Sequence, residues 1–243
     1  MTSTGMTACP DCGVANAADH NYCKHCGRPI KVAAGEQDLA TNPAERIRDH
    51  YVKLVEAYPD NSTAHFNLGA AYYHLGQVGN AVRAFSRAVQ LDDTMPAAHF
   101  QLALCHYRRG AMADCVASSR RAIQLNPFSA PAHFRLAIAL FHLGRLDEAA
   151  QAFEATLAAD AEYVIAWYHL GIIRERQDEY GPAIECFEKV VEANPDDASA
   201  HYHLGLNYER QGLDSLAMGA LTRALQLDPS DEAAAAALQE LQR

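Results

Sequence analysis

From residue 62 onward, apolar and polar positions follow a helical rhythm that restarts every 34 residues. The clearest marker is Ala64-His65-Phe66-Asn67-Leu68-Gly69. It returns as Ala98-His99-Phe100-Gln101-Leu102-Ala103 and as Ala132-His133-Phe134-Arg135-Leu136-Ala137. Ala166-Trp167-Tyr168-His169-Leu170-Gly171 and Ala200-His201-Tyr202-His203-Leu204-Gly205 complete the series. A constant period of this length marks stacked supersecondary units that bury their apolar faces against one another. Each unit reads as two antiparallel helices, A and B; in the first, A covers about Ser62–Leu75 and B about Gly79–Gln90. The units fall at 62–95, 96–129, 130–163, 164–197 and 198–231.

Within each unit, residue size tells where the helices meet. Gly69, Ala103, Ala137, Gly171 and Gly205 on A, and Ala81, Cys115, Ala149, Ala183 and Ala217 on B, allow close approach. Leu68, Leu102, Leu136, Leu170 and Leu204, with Phe85, Phe153, Phe187 and Leu221, fill the space between. Gly76, Gly110, Gly144 and Gly212 stand where a left-handed residue ends helix A, and Asp178 takes that place in the fourth unit. Pro127, Pro195 and Pro229 stop B helices.

The flanks are simpler. Asn42-Pro43-Ala44-Glu45 is a helix start, with Asn42 as N-cap and Pro43 in the first turn. Ile47, Tyr51, Leu54 and Val55 form a stripe at helical spacing, so 43–60 reads as a half repeat capping the open end of the stack. Residues 31–42 lack a pattern and read as a flexible linker. Residues 232–243 are expected to form a C-terminal capping helix. Ser230 is its expected N-cap, and Ala234, Leu238 and Leu241 its packed side.

This residue set, at this period, resembles the tetratricopeptide repeat (TPR) family over residues 62–231. Tyr72, Gly76, Ala81, Phe85 and Ala88 carry the likeness in the first unit. The departures are Ser119 in place of an aromatic, Arg174 in place of a Tyr72-type residue, and Ala161 in place of the terminal proline. The resemblance implies an all-α fold: a right-handed superhelix of five repeats with flanking capping helices. It also implies a concave groove, lined by A helices, that holds a partner's peptide or helix. Carried over by position, the first row of that groove is Phe66, Phe100, Phe134, Tyr168 and Tyr202. The second includes Leu104, Ile138 and Ile172. The third is Tyr73, Tyr107 and Phe141, continuing as Glu175 and Glu209. The fourth is His74, Arg108, His142, Arg176 and Arg210. Relatives that clamp a C-terminal carboxylate use Lys and Asn on the first two rows. Both rows are aromatic or aliphatic here, so no carboxylate-clamp ligand is expected, and a segment with apolar anchors suits the wall better. The first-row rings can equally pack between neighbouring units.

Cysteine usage adds a second module. Of seven cysteines, four lie in Cys9-Pro10-Asp11-Cys12-Gly13 and Cys23-Lys24-His25-Cys26-Gly27. Two C-x2-C knuckles ten residues apart can close a tetrahedral four-thiolate zinc site with no open position, hence a structural one. A redox pair or a disulfide staple is the rival reading; two matched pairs in a reducing compartment favour zinc. The stretch resembles the short zinc ribbons at the N-termini of many prokaryotic proteins. That implies a zinc ribbon over 1–30 with Cys9, Cys12, Cys23 and Cys26 holding one structural zinc. So short a segment cannot hold a core by itself, so the metal supplies its folding energy.

Charge and the absent motifs narrow the function. A net charge of −10 argues against a nucleic-acid coat or a membrane-surface binder. The charge is uneven: residues 96–129 carry a net +3 and residues 164–197 a net −5. No run of about 18 apolar residues is present and the N-terminus does not read as a secretory signal, so a cytoplasmic protein is expected. His65, His99, His133 and His201 occupy equivalent places in different units, too far apart to share an ion, and read as packing residues. Cys105 and Cys115 read as small core residues. No nucleophilic triad order, phosphate loop or paired-carboxylate motif appears. The expected function is a non-enzymatic adaptor that binds another protein. The alternative is a nucleic-acid- or transcription-associated factor touching RNA or DNA through the ribbon, with Lys24, Arg28 and Lys31 as its small basic flank.

Overall fold

The computed structural model describes residues 6–8, 15–17 and 42–242. Cys9, Cys12, Cys23 and Cys26, and the linker at 31–41, lie outside the described residues. Two short strands, β1 (Met6–Ala8) and β2 (Ala15–Ala17), pair antiparallel with Thr7 opposite Asn16. The chain divides into two compact units, residues 1–127 and 128–243.

The first unit holds α1 (Pro43–Ala57), α2 (Ser62–His74), α3 (Val78–Leu91), α4 (Pro96–Arg108) and α5 (Met112–Leu125). The second holds α6 (Ala130–His142), α7 (Leu146–Ala159), α8 (Val164–Arg176), α9 (Tyr180–Ala193), α10 (Ala198–Arg210), α11 (Asp214–Leu227) and α12 (Glu232–Leu241). Within each unit the helices pack mainly on their sequence neighbours.

The size pattern explains that packing. An added Cβ at Gly69 would lie 2.6 Å from the Phe85 ring, and one at Gly205 2.6 Å from Leu221 Cγ. Only glycine therefore lets α2 and α10 approach the helix that follows. Ala81, Cys115, Ala149, Ala183 and Ala217 are all fully buried on the opposing helices. Gly76, Gly110, Gly144 and Gly212 have φ of 72°, 73°, 72° and 71°, and Asp178 has φ 59°. All five A helices thus end through a left-handed residue, with no Cβ penalty in four of them.

Capping is mixed. The side chains of Asn42, Asn61, Ser129 and Asp197 each accept a backbone N–H of the first helical turn. The last helix departs from expectation. Its N-cap is Asp231, which accepts from Ala233 N and Ala234 N. Ser230 instead donates its hydroxyl to Asp228 Oδ1 at 2.7 Å, closing the turn before the helix. On α1, Leu54 is buried but Ile47 is 52% exposed, so only part of the expected stripe is covered.

The ring at the fourth position of α2, α4, α8 and α10 has a bonding role as well as a packing one. His65 Nε2 meets Pro59 O at 2.9 Å, His99 Nε2 meets Asp93 O at 3.2 Å, and His201 Nε2 meets Pro195 O at 3.0 Å. Trp167 Nε1 donates to Ala161 O at 3.0 Å, the same six-residue step. An indole can only donate, so the equivalent imidazoles serve the carbonyl with Nε2–H. The ring ties each of these four helices to the turn that precedes it.

Candidate functional site

The A-helix residues that the repeat positions single out divide into rings half-sunk in the core and side chains left outside. In the first unit, the Phe66 ring lies 5.6 Å from that of Phe85 and packs on the cluster of Ala81, Phe85, Leu102 and Cys105. Phe100, Leu104 and Tyr107 are half-buried on α4, while His74 and Arg108 are exposed. The Arg108 guanidinium lies over the Tyr73 ring, 4.2 Å from its centroid. That pairing holds the cation in place on an apolar surface.

The second unit repeats the arrangement. Phe134 packs on Phe153 at 5.8 Å and Tyr163 at 4.9 Å. Tyr168 packs on Phe187 at 5.8 Å. Tyr202 packs on the cluster of Leu221, Ala224 and Ala234. Ile138 is buried at 7% exposure and faces the core in this structure. Ile172 is half-buried beside Phe187 and Leu204, and His142 and Arg210 are exposed. Arg176 lies over Phe141, 4.9 Å from its centroid, as Arg108 does over Tyr73. His169 stacks on Phe153 at 5.5 Å and His203 on Phe187 at 4.9 Å. Burial, with a smaller effect from His142, lowers the His169 pKa and favours its neutral, stacked form.

One cluster was not anticipated. Glu175 stands in the row of Tyr73, Tyr107 and Phe141, and its Oε2 accepts from His203 Nδ1 at 2.9 Å and from Asn207 Nδ2 at 2.8 Å. Burial works against ionising Glu175. The two hydrogen bonds, with the charges of His203 and Arg176, outweigh it and hold the carboxyl below the usual carboxylate range. The sequence signal was a carboxylate in an aromatic row.

Arg174 also has its explanation. It replaces a core aromatic, and its guanidinium pairs with Glu179 at 2.7 Å and with Glu154. Two carboxylates from α7 and the α8–α9 turn thus compensate a largely covered cation. The remaining thiols are packing residues: Cys105, Cys115 and Cys186 are buried, and burial pushes Cys105 up to about 11 and Cys186 up to about 12. Among the described residues no group of three or more His, Cys, Asp or Glu is placed to hold a metal.

A tetratricopeptide repeat profile matches residues 48–96, 134–184 and 168–232, more than half of the chain. The chain belongs to the tetratricopeptide repeat family. A profile for the anaphase-promoting complex, cyclosome, subunit 3 also matches this TPR chain, at residues 75–156. Among solved structures it is similar to YrrB, a TPR protein with an unusual peptide-binding site, with a TM-score of 0.72 and 16% identity. That match covers 78% of this chain and 97% of YrrB. MamA aligns with a TM-score of 0.64 and 26% identity, over 67% of this chain and 95% of its own. The Cut9-Hcn1 hetero-tetramer of APC/C aligns at 0.58 and 18% identity, over 84% of this chain and 41% of the other. No curated protein matches the sequence significantly. Among the described residues no helix is long and apolar enough to cross a membrane.

Proposed function

We propose that this TPR chain is a non-enzymatic adaptor of the cytoplasm. Its A-helix faces hold a peptide or helix of another protein, and its N-terminal cysteines form a zinc-stapled second docking module. The observation that carries the first part is the repeated pairing of an exposed arginine with a half-buried ring, Arg108 on Tyr73 and Arg176 on Phe141. Such a surface offers apolar contact and fixed donors side by side, which suits a polypeptide with aliphatic or aromatic anchors and free carbonyl groups. The likeness to YrrB and to a multi-chain assembly supports a protein partner.

For the ribbon, the donor set supports zinc: four thiolates in two C-x2-C knuckles fit a closed tetrahedral site. The antiparallel strands β1 and β2 bracket the first knuckle in sequence, as a ribbon requires. Cys9, Cys12, Cys23 and Cys26 would hold the ion, whose part is to fold the segment.

The adaptor reading is tested with surface variants, because Phe134 and Tyr168 also hold the core together. Arg108→Glu and Arg176→Glu should sharply reduce capture of the native partner by full-length protein while melting temperature stays put. Undiminished capture by both variants rejects the A-helix face as the docking surface.

A further inference from the structure

The last turn of α10 holds a buried acceptor that the described residues leave unused. Asn207 is fully buried. Its Nδ2 donates to Glu175 Oε2 and, at 2.7 Å, to His203 O, which fixes the amide's orientation. Its Oδ1 then has no hydrogen-bond partner among the described residues. A buried acceptor in that state costs free energy until a donor reaches it.

Glu175 and Asn207 line a pocket of about 320 Å³ together with Asp178, Tyr180, Leu206 and Arg210. Asp178, held forward by its left-handed backbone, accepts from the Tyr180 hydroxyl at 2.6 Å. The pocket thus presents two carboxylates above the buried Asn207 amide, with Leu206 as an apolar wall. A matching group must bring several donors, positive charge and a hydrocarbon stem. A guanidinium supplies five N–H donors in a planar fork and fits better than a compact ammonium. Arg210, at the same pocket, would repel a bare cation but can receive a backbone carbonyl beside the guanidinium, which points to a peptide. The fourth repeat's net charge of −5 adds long-range attraction for such a segment.

We propose that this pocket takes an arginine side chain of the bound polypeptide, its guanidinium reaching the Glu175 and Asp178 carboxylates while a neighbouring carbonyl oxygen meets Arg210. The assignment rests on the reading that the A-helix face holds a partner segment, and it names one feature of that segment.

The probe is an acetylated, amidated peptide of alanine and leucine around one arginine, paired with the same peptide carrying citrulline in its place. Titrated into isotope-labelled full-length protein, the arginine peptide should shift the Tyr180 and Leu206 amides and the Asn207 side-chain amide. It should bind at least tenfold more tightly than the citrulline peptide, the smallest change expected for a charge-assisted pair. Glu175→Gln should erase that difference. Asp178→Asn, which keeps a residue tolerant of positive φ, should reduce it. Equal affinity of the two peptides, or an arginine preference that survives Glu175→Gln, overturns the assignment. The two readings fail separately. Arg108→Glu and Arg176→Glu variants that keep the native partner count against the docking face, whereas the peptide pair reports on the pocket alone.

Discussion

Two glycines in one helix pair should respond oppositely to the same substitution. Gly205 lies on α10 and Gly219 on α11, and both have ordinary helical backbones. Either, changed to alanine, gains about 1 kcal/mol of helix propensity. At Gly219 nothing lies within 4 Å of the new Cβ, so Gly219→Ala should raise stability by about 0.5–1 kcal/mol. At Gly205 the new methyl would sit 2.6 Å from Leu221 Cγ and 2.8 Å from its Cδ2. That is about 1 Å inside normal carbon contact. Leu221 is fully buried, and the clash involves its branch carbon, so the side chain cannot swing clear. Overpacking of this kind costs about 1–3 kcal/mol, so the net for Gly205→Ala is a loss of up to about 2 kcal/mol. Urea unfolding of full-length protein, with hydrogen exchange on α10 and α11 to localise the change, reads both shifts. If Gly205→Ala proves as stabilising as Gly219→Ala, the glycine is not there for close approach.

Further outcomes can be checked independently. Glu175 titrates below its ordinary value of 4.5 when folded, so its contribution is present above that pH and lost as pH falls through the depressed value. Glu175→Gln should therefore flatten the loss of stability below pH 4.5, measured as urea midpoint against pH. Trp167→Phe removes the donor to Ala161 O and should cost about 1 kcal/mol in the same assay. Metal analysis of purified protein should find one zinc per chain, and Cys9→Ser with Cys12→Ser should abolish it. In native protein, Cys105 and Cys186 should resist a thiol reagent at neutral pH, because burial keeps both protonated.

The helical pairs were legible because the same side chains solve the same packing problem at a fixed step. Glycine 69 makes room for a ring, and glycine 76 turns the chain. Asp178 stood out as the substitute at its turn, and it adopts φ 59°. Other features were legible only in part. At positions 65, 99, 133, 167 and 201 the sequence places His or Trp, never Phe or Tyr. Bulk alone explained that choice, so these rings read as packing residues, and their N–H bonds to the preceding turn emerge only in the structure. The Glu175, His203 and Asn207 cluster joins residues 28 and 32 positions apart, a link that appears only once α8 and α10 are placed side by side. Arg174 read only as a departure from the repeat, because its two carboxylate partners come from α7 and the α8–α9 turn. The cap of α12 went to Asp231 because Ser230 was already engaged with Asp228.

Because helices α6 to α12 lean chiefly on the helix just before and just after, little of this region waits for distant sequence. A chain leaving the ribosome can therefore settle each hairpin of helices as soon as it clears the exit tunnel. The order of translation becomes the order of assembly, and a stalled or truncated product would already carry finished repeats on its N-terminal side.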